Sequence, residues 1–484
     1  MTVALAASLA IGAPEVILAA GACALLVLGA FRGDAALPGL TLGAVLLLAL
    51  AAAPLVTQAP GDNAAWGGLY VADGLSRYLK LVILAGSAAA LVIALPFFQR
   101  LRTGRFEYPV LILLSTIGMG LMVSAQNLLT LYVGLELTSL SSYVLAAFHR
   151  DEDRSSEAGL KYFALGAVAS AILLYGISLI YGFTGSTGFA GIAAVLGAGP
   201  ERNMGALFGL VFLLAALAFK VSAVPFHMWT PDVYQGAPTP VAAFLGTAPK
   251  VAAMGLLARL MLEAFAGMQA DWQQIIVFLA IGSMVFGSLG AISQTNIKRL
   301  LAYSAISQIG FALIGLACAT QAGIAALLLY LVVYLVMKLG AFICLLALTD
   351  ADGRHVEELA DLAGLVRSRP GVASALGILM LSLAGLPPLF GFMPKLAVFE
   401  AAVDANLWAL AVIGVLSSVI AAFFYLRVVK IMFFDPPAEI ALVRTPQGLN
   451  PVILAGTAAF SSPLGYLLLG PLSAAGLAAA RTLF

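Results

Sequence analysis

Apolar runs of about 20 residues recur from one end of this chain to the other, and no other property limits its fold as strongly. Each run is long enough to cross a hydrocarbon core of about 30 Å as a helix. Inside such a core every backbone N–H and C=O must find its partner within the protein, which makes the helix the spanning unit for runs of this length. Composition agrees: of 484 residues 62% are hydrophobic and 10% are charged, where soluble chains carry roughly 25% charge.

The runs place helices near 12–31, 36–56, 73–98, 107–124, 127–148, 157–183, 203–226, 239–263, 272–292, 299–318, 321–348, 371–398, 406–432 and 450–472. The expected fold class is therefore an all-α polytopic membrane protein with about fourteen transmembrane helices. The start of the chain lacks the basic residues of a signal peptide, so the first segment is expected to stay as a helix. Lysine and arginine in short loops mark the cytoplasmic side. The odd-numbered loops hold Arg32, Arg100, Arg102, Arg105, Arg150, Arg154, Lys298, Arg299, Arg354, Arg367, Arg369, Lys430 and Arg444, and Arg202 is the exception in the even-numbered ones. Both termini are expected on the periplasmic side.

The formal net charge of +1 argues against a nucleic-acid partner. Cys23, Cys318 and Cys344 stand singly in apolar segments, without the CxxC spacing of a zinc, haem or iron–sulfur site, and read as small hydrophobes. The stretch GAGPERNMG near Gly197 has neither the preceding strand nor the glycine spacing of a nucleotide loop. No bound cofactor or metal is expected on this chain.

Charged residues inside the apolar runs carry the chemistry. A charge at the bilayer centre opposes insertion by about 2.5–3.5 kcal/mol and usually faces the bundle interior or a water-filled cavity. Glu136, Lys220, Lys250, Lys338 and Lys395 all lie within runs, and Lys161 lies close to a helix start. From Lys220, Lys338 or Lys395 a four-carbon stem does not reach bulk water comfortably. One glutamate cannot neutralise so many lysines, so some are expected to be neutral part of the time and to act as proton relay elements. Glu136 shares its helix face with Tyr132, Ser139 and Tyr143. His227, close to Lys220 in sequence, titrates near neutral pH in its unperturbed form and is a further relay candidate.

Two of these helices are interrupted. Pro225 leaves the Val221 carbonyl without its helical donor, and Pro387 and Pro388 do the same for Leu383 and Ala384. Broken backbone at membrane depth persists only where it is buried in protein or lines water. Lys161 and Lys338 are 177 residues apart, and Lys220 and Lys395 are 175 apart. A shift of five helices reverses orientation, so helices 4–8 and 9–13 are expected to form two inverted repeats with broken helices 7 and 12. The implied division is a three-helix segment over 1–106, a first repeat over 107–263, a second over 264–432, and a C-terminal helix over 433–484.

The stretch KVSAVPFHMWTPDVYQGAPTPVAAFLGTAPK, from Lys220 to Lys250, resembles the signature of the proton-conducting membrane subunits shared by respiratory complex I and cation/proton antiporters. GLKYFALGAVASAILLYG and GLPPLFGFMPKLAVF resemble its subunit N branch, the relatives of mitochondrial subunit 2. The resemblance covers essentially the whole chain. It implies a fourteen-helix fold in which Glu136 and Lys220 form an ion pair, Lys250 bridges, Lys338 holds a middle position and Lys395 is the exit-side lysine. It also implies a heteromultimer with other complex I membrane subunits in a bacterial inner membrane, with NADH, FMN, iron–sulfur clusters and quinone on other subunits. The alternatives are a subunit of a multisubunit sodium/proton antiporter, a sister L- or M-type subunit, or a membrane scaffold.

Overall fold

The structure, a computed structural model, describes residues 2–57, 63–198, 203–350, 355–438, 442 and 448–484. Asp62, Arg202, Arg354 and Arg444 lie outside the described residues, as does part of the segment after 432. Among the described residues twelve helices are long and apolar enough to cross a membrane, and Glu107–Val123 and Pro370–Ala384 are shorter apolar helices.

Helices Ala13–Arg32, Leu37–Thr57, Gly74–Leu101, Glu107–Val123, Leu128–Ala146 and Asp153–Thr184 follow the first six expected runs. The middle of the chain continues with Met204–Val221, Trp229–Gly236, Thr239–Leu245, Ala248–Arg259, Gln269–Ile292, Ile297–Ala317 and Gln321–Leu346. The rest is Pro370–Ala384, Phe392–Asp404, Trp408–Phe434, Asn450–Ser461 and Leu469–Ala480. The last expected helix, 450–472, is corrected: Pro463 cannot continue it, Ser462 is extended, and the chain restarts through Pro463–Leu468 into Leu469–Ala480. Helices Thr2–Ile11 and Phe189–Ala198 and a small antiparallel pair, Asn63–Ala65 with Tyr70–Ala72, are additional.

Burial separates the helices by their position in the bundle. The spans Thr239–Ala264, Ile297–Ala317 and Gln321–Leu346 have 94%, 94% and 89% of their most apolar stretches buried, against 33% for Ala13–Arg32. The first three form the centre, and Ala13–Arg32 lies at the rim. Lys250 and Lys338 therefore stand on central helices.

Two parts of the chain show the same construction. Asn127 and Asn296 each cap the helix that follows, accepting from Leu129 N (2.8 Å) and from Lys298 N (3.0 Å). Each cap is held by a two-bond bridge. Leu128 N donates to Thr187 O and Phe189 N to Gln126 O, while Ile297 N donates to Glu357 O and Leu359 N to Thr295 O, at 2.7–2.9 Å. The two helix breaks also correspond. Met204–Val221 closes on Ser222 at φ +66° and resumes at Trp229, and Pro370–Ala384 closes on Gly385 at φ +80° and resumes at Phe392. In both, the next amide reaches back five residues, Ala223 N to Ala218 O (2.8 Å) and Leu386 N to Leu381 O (3.2 Å).

Candidate functional site

At the first break the carbonyl released by Pro225 has a lysine on it. Lys250 Nζ, 1% exposed, donates to Val221 O (3.0 Å) and to Ser222 Oγ (2.7 Å), and Thr230 Oγ1 also donates to Ser222 Oγ (2.7 Å). Trp229 Nε1 donates to Phe219 O (2.8 Å), tying the resumed helix to the end of the previous one. Lys220, one residue before Val221 at the end of the helix, reaches sideways. Its Nζ donates to Ser139 Oγ (2.6 Å) and Tyr143 Oη (3.2 Å), two groups one turn apart on the Glu136 helix.

The expected Glu136–Lys220 ion pair is not formed as a direct contact. Glu136 accepts from Ser170 Oγ (2.5 Å), and Ser139, one turn along from Glu136, occupies the lysine. The hydroxyls expected on the glutamate's face thus take Lys220 themselves. His227 lies half-buried within the break with its Nδ1 unbonded, and no hydrogen bond joins it to Lys220.

At the second break both released carbonyls are taken. Lys395 Nζ donates to Ala384 O (2.9 Å) and Ser418 Oγ (3.1 Å) and lies 4.6 Å from the centre of the Phe311 ring. Gln308 Nε2 donates to Leu383 O (2.8 Å) and Tyr425 Oη (3.0 Å), and Tyr330 hydrogen-bonds the other end of the same amide. Between the breaks, Lys338 is fully buried, and its Nζ donates to Leu301 O. Lys161 stands apart from this row. It is exposed, pairs with Glu157 (2.7 Å) and Asp232 (2.9 Å), and belongs to the loop face where Arg299 also holds Asp232 (2.6 Å).

Aligning the breaks corrects the repeat interval. Ser222 matches Gly385, Pro225 matches Pro388, and Pro231 matches Pro394, each 163 residues apart. At this interval Lys395 matches Asp232, and Lys220 matches Leu383. The two lysines sit on opposite sides of their breaks, so the 175-residue spacing does not pair equivalent positions.

Three groups were not singled out from sequence. Glu15 and Lys80 form a buried ion pair (2.7 Å) with Tyr70 Oη donating to Glu15 (2.7 Å). Arg259 is buried against Asp73 (2.6 Å) and Glu263 (2.5 Å). Lys298 holds Glu357 (3.1 Å) and Ala237 O (2.9 Å). All three lysine and arginine positions fall within or at the edge of expected spans, and the cost of intramembrane charge was signal enough to find them. Lys298 is among the residues that line a cavity of about 570 Å³ on the loop face, with His149, His355 and Glu357. Phe97 is stacked between the two histidine rings. Burial, with Arg100 and Lys298 close by, pushes His355 down to about 3, and burial also lowers His149. Among the described residues no cluster of three or more histidine, cysteine or acidic side chains is placed to hold a metal ion.

The family described as NADH:quinone oxidoreductase/Mrp antiporter, TM matches residues 125–421. NADH-quinone oxidoreductase subunit N of Parvibaculum lavamentivorans is 57% identical over 440 residues, 91% of each chain. The protein of the same name from Rhizorhabdus wittichii is 54% identical over 479 residues, 99% of each chain. A chain of respiratory complex I from Thermus thermophilus, solved with bound aureothin, superposes with a TM-score of 0.81 at 34% identity, over 96% of this chain and 99% of that one.

Proposed function

We propose that this chain, which belongs to the NADH:quinone oxidoreductase/Mrp antiporter family and within it to the subunit N group, moves protons along a row of buried lysines as a membrane subunit of an NADH-quinone oxidoreductase. One observation carries the reading. The hydrogen bonds of Lys220, Lys250, Lys338 and Lys395 go to carbonyl and hydroxyl oxygens, their other close partners are aromatic rings, and none forms an ion pair among the described residues. A lysine held by neutral dipoles can release its proton without stranding a counter-ion, whereas breaking a buried pair costs about 3–5 kcal/mol. Lys80, Arg259 and Lys298 are held by carboxylates and so serve as fixed charges.

The row runs from Glu136 through Lys220, Lys250 and Lys338 to Lys395. Protons enter from the loop face, where Lys298 lines the cavity and the Leu301 carbonyl, one turn along the same helix, holds Lys338. Like charges repel strongly in a poorly screened interior, so a proton arriving on one lysine favours release from the next. The same proposal includes the inverted arrangement of helices 4–8 and 9–13, the four-part division of the chain, and both termini on the periplasmic side of a bacterial inner membrane. Lys161 and His227 then serve at the margins of the row. NADH, FMN, iron–sulfur clusters and quinone belong to other subunits of the assembly.

The test begins with a tagged chain recovered from mildly solubilised membranes. NADH- and quinone-binding subunits are expected to come with it; recovery without them, with sodium-dependent exchange in vesicles, would favour the antiporter alternative. Lys220→Ala is expected to assemble, as judged on native gels, and to depress NADH-driven proton pumping. Full pumping in an assembled variant removes Lys220 from the pathway.

A further inference from the structure

Lys250 sits at the start of a short, separately seated rod. Helix Ala248–Arg259 is cut from Thr239–Leu245 at Gly246 and Thr247, the latter at φ −124°, ψ −97°. Its register is therefore not inherited from the helix before it. Tyr334 Oη donates to Gly246 O (2.9 Å), so even the joint is engaged elsewhere. At the far end the α-helix gives way to a π turn, Leu260–Ala264. Lys250 and Arg259 thus stand at the two ends of one rigid segment, about 13 Å apart along its axis at 1.5 Å per residue.

Arg259 uses its whole fork. It is 0% exposed, and its Nε donates to Val123 O (3.0 Å), Nη2 to both oxygens of Asp73 (2.7 and 2.6 Å), and Nη1 to Glu263 (2.5 Å). Each partner is itself fixed. Asp73 caps helix Gly74–Leu101, accepting from Ser76 N (2.8 Å), and Glu263 accepts from Gln126 Nε2 (2.6 Å). The capped helix packs on the rod at Gly255, where a Cβ would come within 2.2 Å of Leu79 Cδ1. Next to Leu79, Lys80 anchors the same helix to Glu15 (2.7 Å). A planar guanidinium bound on three sides resists both sliding and rotation, which a point-charge ammonium does not.

We propose that Arg259, gripped by Asp73 and Glu263, is the positioning residue for Lys250. It sets the depth and rotation of the rod, so that the lysine Nζ meets Val221 O and Ser222 Oγ at the helix break. The helices that precede Glu107, which carry none of the row's lysines, act through this grip as the brace of the row. This inference rests on the reading of Lys250 as a proton carrier.

The experiment uses the whole complex in membrane vesicles and reads protons pumped per NADH oxidised, with assembly checked on native gels. Arg259→Lys keeps the charge and loses the fork; Glu263→Gln and Asp73→Asn loosen the grip from the other side. Each is expected to assemble and to lower the pumping ratio, and Arg259→Lys is expected to add nothing to the loss in a Lys250→Met background, because residues acting through one group are not additive. An unchanged ratio, a loss that adds to that of Lys250→Met, or failure of all three variants to assemble would overturn the positioning role. Normal pumping by Lys250→Met itself would instead overturn the reading of Lys250.

Discussion

At the first break the released Val221 carbonyl is taken by a lysine from the separate helix Ala248–Arg259, and at the second the released Ala384 carbonyl is taken by a lysine on the resumed part of the broken helix, beyond Pro388. The backbone device is the same in both: a left-handed closing residue, a reach-back amide, and a helix restarting seven residues on, at Trp229 and Phe392. The charges are not placed the same way. Around the first break Lys220 reaches the Glu136 helix and Lys250 arrives from the central rod, so the break joins two neighbours. At the second break a single lysine takes part: Lys395 reaches Ser418 of the following helix, and the other released carbonyl, Leu383 O, is taken by the neutral amide of Gln308. A repeated backbone thus carries two lysines at one break and one lysine with a neutral amide at the other.

The largest effect expected concerns the reversed orientation of the two halves. With the native cysteines replaced, a single cysteine at Glu358 or Arg367 should label only from the cytoplasmic side, and one at Asp271 only from the periplasmic side. Labelling of both from one side would break the comparison, because the two capped bridges would then lie on the same face.

Next in size is Lys395→Arg. Arginine keeps its charge at any working pH, so it can replace a fixed cation but not a proton carrier. Pumping in vesicles should fall well below that of the parent complex while assembly persists, and Lys395→Met should fall as well. If arginine pumps normally and methionine fails, the second break holds a fixed charge and the row ends before it.

A smaller effect separates the closing residues. Gly385 sits at φ +80°, and a Cβ there would come within 2.7 Å of Lys395 Cδ. Gly385→Ala should cost about 1–2 kcal/mol from the left-handed backbone alone and displace the lysine, lowering both thermal stability and pumping. Ser222→Gly frees the backbone of the first break but removes the hydroxyl that Lys250 and Thr230 share. It should therefore leave stability nearly unchanged and lower pumping. Equal behaviour of the two variants in both measurements would mean that the breaks differ less than their charges suggest.

Much of this contrast was legible in the chain, and the part that was not had a physical reason. Bilayer thickness fixes run length, which is why the helices from Ala13 to Phe434 fall close to their expected places. Proline chemistry is local, so the released carbonyls of Val221, Leu383 and Ala384 follow from Pro225, Pro387 and Pro388 alone. What occupies those carbonyls is a matter of distant packing: nothing near Val221 in sequence points to Lys250. Matching lysine to lysine gave intervals of 175 and 177 residues, whereas the turn chemistry, with proline at 225 and 231 and again at 388 and 394, gives 163. Residues that build a turn hold their register in a repeat, and residues that carry charge need not. The missing direct Glu136–Lys220 contact is likewise a matter of packing: Ser139, one turn along the helix, takes the same ammonium.

The smallest effect sets the two capped bridges against each other through acid. The bridge at Asn127 and Gly188 is flanked by Ser186 and Thr187, none of which titrates near neutral pH. The bridge at Asn296 and Glu358 follows His355, which is held down to about 3 by burial and by Arg100 and Lys298. In the unfolded chain a histidine takes up its proton near pH 6.5. Between about pH 6.5 and about 3 the unfolded state therefore binds more protons at this site, and stability rises with pH over that window. His355 thus contributes its full stabilisation above pH 6.5 and loses it progressively on acidification. Lowering the pH from 7 to 5 should speed amide exchange at Ile297 and Leu359, corrected for intrinsic rates, while Leu128 and Phe189 stay protected. In His355→Gln the extra acid sensitivity of the second bridge should shrink, leaving what Glu357 and Glu358 contribute. Equal acceleration at both bridges in the parent protein would place the acid response outside His355 and remove this difference between the halves.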